Sequence, residues 1–121
     1  MTDEYGTELE VMEIARVEAL IARYPRVLSR VFSPDEIAYC EPKRKAGQHF
    51  TARLAAKMAA RRVLGGGMLS EFVVERDDRG APSLRVSGRA ADLNGEGVWL
   101  LSLSHDAGVA TAFVARIESA S

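Results

Sequence analysis

The sequence predicts an α+β domain, with helices packed on an antiparallel sheet, on three observations. One strand-like segment opens the chain, helical periodicity then runs from Glu13 to Gly65, and the remainder breaks into short strands joined by tight turns. The 121 residues, 47% of them hydrophobic, suit a single domain over 1–121 with a real core. Charge is balanced, 16 basic against 17 acidic residues with formal net charge −1, so no global field points to nucleic acid or an anionic membrane. The single cysteine, Cys40, excludes an intramolecular disulfide and a cysteine-rich metal site, and is expected to be a buried, inert thiol. Met1 to Tyr5 is acidic and polar, and no run of about 18 apolar residues occurs. Neither a signal peptide nor a membrane span is therefore expected, and the cytoplasm is the expected location.

Thr7 to Met12 alternates as a strand, with Glu8, Glu10 and Met12 on one face and Leu9 and Val11 on the other. Two carboxylates two residues apart fit a solvated face or a cation site, since hard cations take clustered carboxylate oxygens. From Glu13 the period becomes helical, with Ile14, Val17, Leu20, Ile21 and Tyr24 on one face, and Pro25 ends that helix. A second helical piece spans Arg26 to Val31. Ser33-Pro34-Asp35-Glu36 then reads as an N-cap, a proline at the first helical position and a capping-box glutamate, starting a short helix to about Cys40.

Glu41 to Gly47 is a turn-rich connection in which Lys43-Arg44-Lys45 suits a solvated loop, or a dock for phosphate or an acidic partner. His49 opens the long helix and, with no second histidine near it in sequence, makes no metal motif. Arg53 to Leu64 is built from strong helix formers; Phe50, Leu54 and Met58 share one face while Lys57, Arg61 and Arg62 mostly point elsewhere. Gly65-Gly66-Gly67 supplies the left-handed stop. Glu71 to Arg76 and Ser83 to Val86, joined through Asp77-Asp78-Arg79-Gly80, predict a hairpin, with Pro82 outside the ladder interior. Ser87 to Gly97 reads as a loop that can hold a helical turn over Arg89 to Leu93. Val98 to Ser104 and Val109 to Ala115 are antiparallel strands joined through His105 to Gly108.

Chemistry has three candidate seats: the acidic face of the first strand, the basic side of the long helix, and Ser102-Leu103-Ser104-His105-Asp106. The last lacks the glycine-flanked elbow of a serine hydrolase. Hydroxyls and an imidazole there suit phosphate binding or proton transfer, or simply a polar hairpin end.

Four segments, in order, resemble the holo-acyl-carrier-protein synthase family of phosphopantetheinyl transferases. Leu54-Ala55-Ala56-Lys57-Met58-Ala59-Ala60-Arg61-Arg62-Val63-Leu64-Gly65 is similar to its Phe-Ala-Ala-Lys-Glu-Ala-x-x-Lys-Ala-Leu-Gly. Glu10 to Val17 resembles its Asp-Ile-Val-Glu-Ile-x-Arg-Ile, Ser102 to Asp106 its Ser-Leu-Ser-His-Glu/Asp, and Gly80-Ala81-Pro82 its Gly-x-Pro. The resemblance implies a homotrimer with coenzyme A held between subunits, and magnesium on the pyrophosphate while the phosphopantetheine arm passes to a serine of an acyl carrier protein. It implies His105 and Lys57 as catalytic residues, and Arg53, Lys57, Arg62, Ser102, Ser104 and His105 as coenzyme A contacts. Glu10 stands at the metal-binding aspartate, with Glu8 as competitor, and Arg16 at a carrier-protein contact.

Met58 departs from the motif, standing where the family has its second metal-binding carboxylate, and magnesium does not accept a thioether. Three readings follow. The first is a homologue with weakened or lost magnesium-dependent transfer and a redirected or binding role around coenzyme A or carrier proteins. The second is an active phosphopantetheinyl transferase, and the third a non-enzymatic carrier-binding subunit.

Overall fold

The computed structural model describes residues 3–119. Its order is β1 (Asp3–Glu13), α1 (Ile14–Arg23), α2 (Arg26–Val31), α3 (Pro34–Cys40), α4 (Ala46–Leu64), β2 (Phe72–Arg76), β3 (Pro82–Val86), α5 (Gly88–Asn94), β4 (Val98–Asp106) and β5 (Val109–Ser119). A 3₁₀ turn at Leu69–Glu71 leads into β2. The strands divide between two antiparallel sheets, one ordered β1-β5-β4 and the other the β2-β3 hairpin.

Local chemistry explains most boundaries. Ser33 accepts the Glu36 amide at 3.1 Å while Glu36 accepts the Ser33 amide at 2.9 Å, the reciprocal cap the sequence predicts for α3. Gly65 ends α4 at φ 76°, a conformation in which a Cβ is strained. His105 and Asp106 belong to β4 instead of the connection, because Ala107 (φ 51°) and Gly108 (φ 84°) complete a two-residue turn by themselves. The segment after Ser87, read as a loop, closes into α5.

Helix α4 crosses β5 and β1 and also touches β4, β2, α1, α3 and α5. The sequence suggests a helix with one apolar face, but α4 is enclosed on nearly all sides. Ala55, Ala56, Ala59 and Ala60 are fully buried, and their small side chains let the helix sit close to the sheet beneath and the hairpin beside it. Val17, Phe32, Cys40, Phe50 and Leu54 form the core toward α1–α3, with Phe32 and Phe50 edge to face at 5.1 Å. Cys40 is buried there, and burial pushes its thiol up to about 11, so it is an unreactive packing residue.

The strand periodicity holds, but its two faces exchange their expected roles. Glu8, Glu10 and Met12 share the helix side with the buried Ala110, Ala112 and Val114. Leu9, Val11, Val98, Leu100 and Phe113 line the opposite face and are between 44% and 62% exposed.

Lys57 requires a correction. Its side chain is fully buried in the core instead of facing a cavity, and its ammonium donates to Glu36 Oε1 at 2.7 Å and to the Phe72 carbonyl. Glu36 Oε2 accepts the Val74 amide at 2.9 Å, so this pair joins α4, α3 and β2. The polar end of Lys57 meets protein groups alone in this structure. Lys57→Met is expected to lower stability by about 3–5 kcal/mol in urea unfolding, because Glu36 keeps an uncompensated buried charge. The double variant with Glu36→Gln should lose less than the sum of the single losses.

Candidate functional site

Polar side chains gather at both ends of α4. At the amino-terminal end, Gln48, His49, Ala52 and Arg53 of the helix meet Leu103, Ser104 and His105 of β4 and Arg76 of β2 around a cavity of about 330 Å³. Period-two alternation turns His105 to the helix side of the sheet, and its ring centroid lies 6.2 Å from that of His49. The Arg53 guanidinium lies 4.3 Å from the Tyr39 ring centroid, with Lys43 Nζ at 4.4 Å and the Arg76 guanidinium at 5.3 Å. None of these three cations makes an ion pair among the described residues.

Arg53 is 2% exposed; its Nη1 donates to the His49 carbonyl at 3.5 Å, while its buried Nε has no hydrogen-bond partner among the described residues. A buried guanidinium without a counter-anion is costly, so the site is built to receive an anion. His49 titrates below the ordinary 6.5, first because burial disfavours its charged form and then because Arg53, His105, Lys43 and Arg76 repel it. Arg44 and Lys45 of the basic loop border a second, shallower cavity on the other side of His105.

Near the carboxy-terminal end of α4, Arg62 meets the inner face of β1. Its Nε donates to Glu8 Oε1 at 2.6 Å, and Nη2 donates to Glu10 Oε2 at 3.1 Å and to the Leu9 carbonyl at 3.3 Å. Met58, one turn earlier on the same helix face, lines a cavity of about 670 Å³ with Glu8, Arg61, Arg62, Gly65 and Gly66. Glu10 also borders a groove containing Arg16, Leu20 and Val109; Arg16 is exposed and 3.9 Å from Glu13.

The expected site residues thus fall into separate groups. Arg53 and His105 come together in one cavity, which Ser104 borders although alternation gives it the same outward face as Ser102, while Glu8, Glu10, Met58 and Arg62 form a second group. Nine residues along α4, roughly 14 Å, separate Arg53 from Arg62. Ser102 joins neither group: it lies opposite Phe113 on the exposed outer face. Lys57 is in the core. Sequence reasoning missed Tyr39, His49 and Arg76, which come from three different elements and share no local spacing signal.

The donor set near Met58 does not fit a magnesium site of the kind the resemblance implies. Both carboxylates are turned onto one guanidinium, and the remaining side chain offers a soft thioether where magnesium takes oxygen.

A family model described as the 4'-phosphopantetheinyl transferase superfamily matches residues 9–114. The chain is 44% identical to a holo-[acyl-carrier-protein] synthase of Anaeromyxobacter sp. (strain K), covering 90% of this chain and 92% of that one. It is 40% identical to a protein of the same name from Geobacter sp. (strain M21), covering 91% and 95%. Among solved structures, the Helicobacter pylori holo-[acyl-carrier-protein] synthase in complex with coenzyme A superimposes with a TM-score of 0.77 at 28% identity, over 92% of this chain and 97% of that one. On this sequence similarity and shared fold, the chain belongs to the holo-[acyl-carrier-protein] synthase family of the 4'-phosphopantetheinyl transferase superfamily.

Proposed function

We propose that the protein is an active cytoplasmic phosphopantetheinyl transferase, moving the 4'-phosphopantetheine arm of coenzyme A to a serine of an acyl carrier protein. The observation that carries this reading is the buried Arg53, whose Nε has no hydrogen-bond partner among the described residues and which shares a cavity with His105, an arrangement suited to a phosphate. The coenzyme A complex of the Helicobacter pylori relative supports coenzyme A as the phosphate compound, and the similarity to holo-[acyl-carrier-protein] synthases favours active transfer over the weakened or redirected homologue that Met58 by itself suggests.

In this reaction the serine oxygen bonds to the phosphorus carrying the arm, the phosphorus–oxygen bond to the nucleotide breaks, and adenosine 3',5'-bisphosphate leaves. His105 is suited to accept the serine proton or donate to a phosphate oxygen, and Arg53 to anchor a coenzyme A phosphate. Lys57 acts indirectly, by holding α4 in place. Arg16 is exposed beside an apolar groove, in keeping with contact to an acidic carrier.

We also read the chain as a homotrimer. The apolar outer face of the β1-β5-β4 sheet needs covering, and the two polar groups at the ends of α4 are too far apart to act as one compact site in a single copy. Coenzyme A bound between neighbouring copies can touch the Arg53 group of one and the Arg62 group of the other.

Incubation with coenzyme A and an apo carrier protein is expected to add about 340 Da to the carrier by mass spectrometry, with His105→Ala slowing transfer by about a hundredfold or more. Absence of the mass gain from the unaltered chain refutes the reading. The unaltered chain should sediment near three times its 13.2 kDa, and Phe113→Asp should sediment as a monomer. Coenzyme A phosphates offset the cations around His49, so NMR titration should show its pKa rising toward 6.5 on binding. By linkage, coenzyme A affinity then weakens as pH rises through that window.

A further inference from the structure

We propose that the Arg62 guanidinium, gripped by Glu8 and Glu10, presents a fixed, charged hydrogen-bond donor to the pyrophosphate, so that transfer in this chain does not require a divalent cation. The inference rests on the transferase reading and adds to it the donor that receives the leaving group's oxygen.

Three observations carry it. Arg62 is oriented by three acceptors on β1: Nε is held by Glu8, and Nη2 by Glu10 and the Leu9 carbonyl. Nη1 makes no hydrogen bond among the described residues and is available to a ligand oxygen. A lysine cannot reproduce this, because its single nitrogen lacks the planar fork that binds acceptors on one side while donating on another. The Glu8 hydrogen bond, with the Glu10 charge behind it, also holds the guanidinium firmly in its charged form.

The second observation is Met58. It lies at i, i+4 from Arg62 and lines the same cavity. A carboxylate there would add a third acid beside Glu8 and Glu10, enough to recruit a hard cation; the thioether does not. The third is that magnesium and Arg62 require the same carboxylates. A dication entering between Glu8 and Glu10 would have to displace a guanidinium that both already hold, against like-charge repulsion.

Glu10, expected as a metal ligand, is thereby assigned with Glu8 as a positioning residue that aims Arg62. Arg61 lines the cavity as a second cation, together with Gly65 and Gly66 after α4. In the step itself, the bond from serine oxygen to phosphorus forms and the bond to the nucleotide oxygen breaks. That oxygen keeps the electron pair, and Arg62 donates a hydrogen bond to the resulting phosphate without losing its proton. The serine proton passes to His105 or to water, and no redox change occurs.

The test measures transfer by the full-length protein from coenzyme A to an apo carrier, in excess chelator and across a magnesium titration. The rate should change less than about threefold between the two conditions, whereas a reaction dependent on a metal for charge stabilisation falls by about a hundredfold or more. Arg62→Lys should lower kcat by about tenfold or more while retaining the native circular dichroism spectrum. Met58→Glu should make the rate respond to magnesium. A second readout is manganese binding followed by electron paramagnetic resonance, with protein and coenzyme A present. The signal should match that of coenzyme A alone and be unchanged by Glu10→Gln.

A loss of about a hundredfold in chelator, restored by magnesium, overturns the proposal. So does manganese binding that disappears in Glu10→Gln. Failure of transfer under both conditions instead refutes the transferase reading, and the manganese experiment then decides the charge assignment alone.

Discussion

The Lys57–Glu36 ion pair is the constraint on which the rest of the structure depends. Helix α4 is enclosed by sheet, hairpin and the other helices, and the middle of an enclosed helix is an expensive place for an ammonium. Lys57 is tolerated there because one carboxylate and one carbonyl receive it. Glu36 in turn receives the Ser33 and Val74 amides. These contacts are directional where the surrounding alanine packing is not. They fix the rotation of α4 about its axis and its position against α3 and β2, and thereby decide which residues of α4 reach its two polar ends.

That rotation separates two kinds of electrostatic environment. At the Arg53 end, cations outnumber their partners around Tyr39, and a buried guanidinium nitrogen remains without an acceptor. At the Arg62 end, two carboxylates and a carbonyl engage the cation through Nε and Nη2 alone. The first arrangement suits an incoming anion; the second is held by carboxylates on one side and, among the described residues, leaves one oriented edge of a guanidinium free. The apolar outer face of the β1-β5-β4 sheet supplies a physical reason for copies to associate and bring the sites of different chains together.

Sequence reasoning located the elements well, because the signals were local: the Ser33–Glu36 capping box, Pro25, the glycines after Leu64 and the turn before β3 act within a few residues. It also brought Arg53 and His105 into one proposal through motif resemblance, and the structure brings them to one cavity. It failed where alternation indicates two faces but not which one is inside. The carboxylates of β1 lie on the inner side because Arg62, 52 positions after Glu10, reaches them there, and Leu9 and Val11 consequently face outward.

The sequence by itself determined the α+β class, nearly every element and the family, since these are written in spacing, caps and contiguous motifs. The three-dimensional structure was needed to show that Lys57 is a core residue, that Ser102 lies apart from His105, that Tyr39, His49 and Arg76 gather around Arg53, and that Glu8 and Glu10 grip Arg62. Each of those facts depends on contacts between side chains distant in the chain. Their geometry is set by how α4 is rotated and enclosed, a property that no local pattern encodes.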